Sequence, residues 1–251
     1  MRKFIMLIIK AFSMLFFYND DKVSIYDYRE IKQKYIKYID LDKYSSGIIV
    51  ATTHTSYLDG LFCNLSMPRK GYCLAKIELF DNKIKGFFYK NILGFIPINR
   101  YKPKLSELKN AINILKRGDI LYIAPNGTRT DKIEHIKRGI VSMALIANVP
   151  ILIADIGGPK KFHFKYIKHR PIVNYNFGVS IDVSILVNEL IEKKFTLKEA
   201  KNEATKIVEQ ELKAIEKESQ YQKDCFSPNI IKSSLNIFKD LCTVFKEGGF
   251  N

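Results

Sequence analysis

The chain changes its hydrophobic rhythm at Gly47. Ahead of it, residues 21–46 read "DKVSIYDYREIKQKYIKYIDLDKYSS", polar and rich in Tyr and Lys. Ile31, Tyr35, Tyr38 and Ile39 recur there at helical spacing and predict a short amphipathic helix. Its Tyr–Lys interleaving suits lipid headgroups or an ordinary solvated face. Beyond Gly47, short apolar runs alternate with helical patterns. "GIIVATT" predicts a buried strand and "SYLDGLFCNLS" a helix. "GYCLAKIELF" reads as a strand leading into a loop, and "KIKGFFYKNILG" as an apolar helix closed by Gly94. In the short strand "FIPINR", Pro97 marks an edge or a bend. "LSELKNAINILKRGD" places Leu105, Leu108, Ile112 and Leu115 on one helical stripe, closed by Gly118. "ILYIAP", "GIVSMALIANV" and "PILIADIGG" continue as strand, helix and strand. "KFHFKYIKHRPIVNYNFGVSID" predicts one or two edge strands. "TLKEAKNEATKIVEQELKAIEK" carries Leu197, Ala200, Ala204, Ile207, Val208, Leu212 and Ile215 at helical spacing, a long amphipathic helix.

This alternation predicts an α/β fold, a mixed sheet flanked by helices. The expected organisation is an N-terminal amphipathic part over 1–46, an α/β domain over 47–220 and a partly helical tail over 221–251.

The N-terminus "MRKFIMLIIKAFSMLFFYNDD" is basic and then apolar from Phe4 to Tyr18, interrupted by Lys10. A spanning helix wants roughly 20 apolar residues, more than this stretch offers. It also lacks the small-residue cleavage site of a signal peptide. Long aliphatics and aromatics with an embedded lysine suit a helix lying in the membrane interface. A buried first helix of the core and a single span are the alternatives.

Composition narrows the partners. Hydrophobic residues make up 47% of the 251, enough for a sizeable core, and the net charge is +15. Such a charge favours anionic partners: nucleic acid, anionic lipid or phosphorylated substrates. No helix-turn-helix, zinc or RNA-binding signature accompanies it, so no nucleic acid is expected. Cys63, Cys73, Cys225 and Cys242 form no CxxC pair and have no metal-spaced histidine, so no metal is expected and the thiols read as free, in a reducing cytoplasm.

Three stretches carry candidate chemistry. In "ATTHTSYLDG", His54 and Asp59 would lie about 140° apart on one regular helix, too far round to meet. They meet only if His54 precedes the helix and Asp59 lies in its first turn. That puts His54 on the loop at the carboxyl end of a strand, where open α/β sheets place their sites. Ser56 to Asp59 also fits a capping box, which needs no catalysis. "GFIPINR" ends in Arg100, whose planar fork matches a phosphate or carboxylate. "APNGTRT" is a tight turn after a strand, with Asn126, Gly127, Thr128, Arg129 and Thr130 offering an amide, close backbone approach, hydroxyls and a second fork. It lacks the spacing of a Walker loop. Lys137 and Arg138 follow in "IKRG".

Together these stretches resemble the glycerolipid acyltransferase family typified by 1-acyl-glycerol-3-phosphate acyltransferases. His54–Asp59 matches its H-x4-D motif, Gly94–Arg100 its G-x-I-x-[IV]-x-R segment, and Ala124–Thr130 its F-P-E-G-T-R-S segment. Val149-Pro150-Ile151 matches its V-P-[IV] strand. The likeness covers roughly residues 47–158, with four motifs in order at matching spacing.

The resemblance implies an O-acyltransferase that moves a fatty acyl chain from acyl-CoA or acyl carrier protein to the hydroxyl of a lysophospholipid. The expected acceptor is 1-acyl-glycerol-3-phosphate, giving phosphatidic acid. His54 would be the general base, oriented by Asp59. Arg100, Asn126, Gly127, Thr128 and Arg129 would hold the acceptor. No cofactor is implied beyond the acyl donor as co-substrate, and no serine or cysteine nucleophile is required. Cys63 reads as core. Work at the cytoplasmic face of the membrane, as a peripheral or monotopic protein among anionic lipids, is the matching location. One departure stands out: Asn126 replaces the family's glutamate, keeping a hydrogen-bonding carbonyl and losing the charge. It puts acceptor identity in question and leaves a non-catalytic or altered-acceptor lipid-binding member of the fold as the alternative.

Overall fold

The computed structural model describes residues 18–19, 23–24, 33–37, 39, 44–65, 71–127, 129, 133, 135–163 and 171–225. The apolar N-terminal stretch up to Phe17, Thr128, Thr130 and the tail beyond Cys225 lie outside them. The strands are β1 (Tyr18–Asn19), β2 (Val23–Ser24), β3 (Ile36–Lys37), β4 (Ile48–Thr52), β5 (Gly71–Lys76), β6 (Phe95–Ile98), β7 (Ile120–Ile123), β8 (Ile151–Gly157) and β9 (Ile172–Ile181). The helices are α1 (Asp59–Leu65), α2 (Lys83–Asn91), α3 (Leu105–Lys116), α4 (Gly139–Ala147), α5 (Val183–Glu192) and α6 (Leu197–Cys225). A 3-10 turn, Ile77–Phe80, joins β5 to α2.

The sheet order is β1-β9-β8-β4-β7-β5-β6, with β2 and β3 also on β9. β8, β4, β7, β5 and β6 run parallel, and β9 is antiparallel to β8. The sheet is therefore mixed, as the expected fold class has it. Its parallel strands are apolar throughout because both faces are covered. On β4, Ile49 and Ala51 join one core with residues of α3, α4, α5 and α6. Ile48 and Val50 point the other way, into a core with Phe62 and Cys63 of α1. Truncating any one of these fully buried isoleucines to alanine costs about 2–5 kcal/mol, so β4 is a stiff platform for the loop that follows.

Three expectations are corrected. The helix read around Ile31–Ile39 is absent where described: Gln33–Tyr35 lead into β3, which pairs antiparallel with the end of β9. β9 is a single strand and not an edge, because β1, β2 and β3 cover its outer side. On α3 the buried face is Ala111, Ile114 and Leu115, while Leu105 is exposed. Pro97 does lie in an edge strand, β6. α5 went unread in the sequence; Asp182 caps it by accepting from the Ile185 N–H. The chain divides into two units, Met1–Glu216 and Lys217–Asn251.

Candidate active site

All five parallel strands end at one edge of the sheet, and the loops leaving that edge carry the candidate residues. The chain leaves β4 at Thr52 and reaches α1 only at Asp59, so His54 lies on a loop and Asp59 opens the helix. His54 Nδ1 is 2.7 Å from Asp59 Oδ2. A carboxylate only accepts, so Nδ1 donates, and a neutral ring in this pose has its lone pair at Nε2. The Asp59 side chain is 6% exposed and that of His54 18%. Thr55 N and Ser56 N also donate to Asp59 Oδ2, each at 3.0 Å. Asp59 Oδ1 is buried with no hydrogen-bond partner among the described residues. One oxygen thus gathers three donors, which fixes both the ring tautomer and the path of the loop.

The capping box is only half made. Asp59 accepts from Ser56 N, but the Ser56 hydroxyl receives Leu58 N rather than Asp59 N. That hydroxyl donates instead to Pro159 O at 2.7 Å, and Tyr57 N donates to Lys160 O. The loop after β8 therefore clamps the histidine loop. Gly158 permits this approach, since a Cβ there would stand 2.6 Å from the Phe62 ring. Beneath, the Thr53 hydroxyl donates to the buried carboxylate of Asp155 on β8.

The arginine loops reach the same place by different routes. Arg129 is exposed and lays its guanidinium over the Tyr57 ring, 3.7 Å from the centroid. A guanidinium so stacked is held in place by the ring face and keeps its fork edge free to bind. Arg100 is half-buried, and its carbonyl accepts from Lys137 Nζ at 2.9 Å. Lys137 N donates to Pro125 O, so this residue ties the loop after β6 to the turn after β7. Gly127 has φ +74 and lies under the Lys137 ammonium, where a Cβ would come to 3.1 Å. Asn126 is half-buried in that turn. Glu209 of α6 accepts from Ile136 N and Glu216 from Ile133 N, bracing the segment behind the turn. Burial alone would raise the Glu209 carboxyl; the Lys213 ammonium and the Ile136 N–H outweigh it and hold the group below its ordinary value. This brace is complete above the ordinary carboxylate range and is lost as pH falls through the lowered value.

His54, Asp59, Gly127 and Arg129 thus gather at one edge, with Arg100 joined to them through its backbone. Sequence reasoning missed Tyr57, Asp155, Pro159 and Lys160; Lys137 was read only as a cation. The one local signal was Tyr57, an exposed aromatic inside the His–Asp interval.

Cys63 sits one turn beyond Asp59. Burial pushes its thiol well above the ordinary value, and Cys73 and Asp59 add to that. A thiol held protonated is a poor nucleophile. Cys63→Ala is expected to keep at least about half the wild-type kcat and to melt a few degrees lower. A loss above tenfold without a change in melting would return the thiol to the reaction.

Among the described residues, no group of three His, Cys, Asp or Glu side chains is placed to hold a metal ion, and no helix is long and apolar enough to cross a membrane.

A family model described as Acyltransferase matches residues 23–154, just over half of the chain. The 1-acyl-sn-glycerol-3-phosphate acyltransferase of Bacillus subtilis (strain 168) is 36% identical over 141 residues, 53% of this chain and 70% of that protein. Its namesake in Streptococcus pneumoniae is 33% identical over 138 residues, 54% of this chain and 50% of that protein. The crystal structure of the 1-acyl-sn-glycerophosphate (LPA) acyltransferase from Thermotoga maritima superposes with a TM-score of 0.51 at 21% identity, covering 85% of this chain and 81% of that one. At that identity the likeness speaks for the fold alone. The chain belongs to the acyltransferase family.

Proposed function

We propose that this acyltransferase moves a fatty acyl chain from a thioester, acyl-CoA or acyl carrier protein, to the free hydroxyl of 1-acyl-glycerol-3-phosphate, giving phosphatidic acid. The observation that carries this reading is the His54 Nδ1–Asp59 contact of 2.7 Å on a loop flanked by the Arg100 and Arg129 loops. The acceptor hydroxyl gives its proton to His54 Nε2 as its oxygen attacks the thioester carbonyl. Asp59 stabilises the imidazolium that forms. The tetrahedral intermediate then collapses, the C–S bond breaks, and the thiolate takes the proton from Nε2. No covalent acyl-enzyme is needed, in keeping with the raised Cys63 thiol. Backbone N–H groups near Gly127 or the start of α1 are suited to the developing oxyanion.

Arg100 and Arg129 bind the acceptor phosphate in this reading, and the net charge of +15 suits work at an anionic cytoplasmic leaflet. Bonds to a charged group are worth about 1.5–3 kcal/mol. Arg129→Ala or Arg100→Ala is therefore expected to raise KM for lysophosphatidate about 10–100-fold. The same variants should leave KM for an uncharged monoacylglycerol nearly unchanged. Equal effects on both acceptors, read with radiolabelled donor, would remove the phosphate assignment.

Asn126 favours a second reading, a member that binds lipid without turnover or takes another acceptor. A neutral amide braces a guanidinium less well than a carboxylate does.

A further inference from the structure

α2 presents apolar residues outward. At about 100° per residue, Ile84, Phe87 and Phe88 fall within an arc of about 100°. They are 83%, 63% and 42% exposed. The opposite side of the helix is already used. Gly86 is buried against the Phe80 backbone, and Tyr89 stacks on Phe95 with ring centroids 5.6 Å apart. The outward arc is therefore not a core face turned the wrong way. Lys83 and Lys90 flank it on one side and Lys85 on the other, all exposed. Glu78 and Asp81 lie on the preceding turn, off the helix.

We propose that this face of α2 docks on an anionic lipid surface, the three apolar side chains entering the interface and the lysines meeting lipid phosphates. Three apolar side chains, joined in the last turn by the neutral Asn91 and flanked by lysine on both sides, make the arrangement of a helix lying in the interface plane. Charge argues against a second copy as occupant, because pairing two such faces would bring Lys83, Lys85 and Lys90 of each against the other. α2 leaves the carboxyl end of β5 through the 3-10 turn, so its first turn starts near the sheet edge that carries His54 and Arg129. An acceptor resident in the leaflet then reaches the site without crossing water. This last step rests on the proposed function; the docking itself does not.

The chain contains no tryptophan, so Phe87→Trp supplies a lone tryptophan whose emission is read by selective excitation. Vesicles of equal parts phosphatidylglycerol and phosphatidylcholine are the probe. Emission is expected to shift to the blue on adding vesicles and to be quenched by lipids brominated near the headgroup end of the chains. Ile146→Trp, on α4, should show neither effect. Replacing Lys83, Lys85 and Lys90 together by glutamine should weaken vesicle binding about 100-fold at low salt. Phe87→Ser with Phe88→Ser should weaken it at least about tenfold and spare turnover of an acceptor dispersed in detergent. Three results would overturn the proposal: no vesicle binding, binding with the Phe87→Trp emission unmoved, or emission already blue before vesicles are added. If docking holds and detergent-dispersed acceptor is never acylated, the functional reading fails and the docking face stands.

Discussion

His54→Ala is expected to lower kcat by about 10³-fold, the middle of the range for a positioned general base, with KM for both substrates within about threefold of wild type. The ring is half-buried and its hydrogen-bond partner among the described residues is Asp59, which keeps two backbone donors when the ring is gone. The fold should therefore lose no more than about 3 kcal/mol. That separation matters: a merely structural histidine would lower stability and turnover together. Steady-state kinetics and thermal melting on the same preparation check it, and near-normal kcat in a folded variant removes the base.

Asp59→Asn is expected to do damage of both kinds. The carboxylate oxygen that receives His54 Nδ1, Thr55 N and Ser56 N would be replaced by an amide that accepts on one atom and donates on the other. If the amide oxygen serves the two backbone donors, His54 loses the charge that stabilises its protonated form. If the amide turns, buried N–H groups lose their acceptor, at roughly 1–3 kcal/mol each. Expected outcomes are a kcat lowered about 10²–10⁴-fold and a melting point lower than that of His54→Ala. A melting point equal to wild type, with kcat unchanged, would mean the contact orients nothing.

The placement of this pair was legible because it follows from helical geometry. His54 and Asp59 cannot meet on one helix, and the β-branched run before them ends a strand, so loop and first turn follow. The α/β alternation was legible for a similar reason: buried parallel strands such as "GIIVA" and "ILYI" are continuous apolar runs. What failed depended on partners far along the chain. Ile36 lies inside the stretch read as a helix, yet it pairs with Ile181 across the sheet. β9 read as an edge because two-residue strands leave no periodic signal. Leu105 fits the α3 stripe, yet it is exposed in the first turn of that helix. The clamp on the histidine loop is likewise invisible locally: Ser56 meets Pro159 and Thr53 meets Asp155 only because β4 and β8 pair in register. Asn126 was legible as a departure, but its chemical consequence was not, because that depends on which acceptor groups face the turn.

The central claim is that this chain acylates a lysophospholipid hydroxyl and selects it by its phosphate. Mass spectrometry of the products formed by purified protein tests it most directly. The mixture would hold one acyl-CoA with lysophosphatidic acid, glycerol 3-phosphate, lysophosphatidylcholine and monoacylglycerol. The account predicts phosphatidic acid as the dominant product, absent with His54→Ala. No acylated product from any acceptor, or preferential acylation of the uncharged monoacylglycerol, would contradict it.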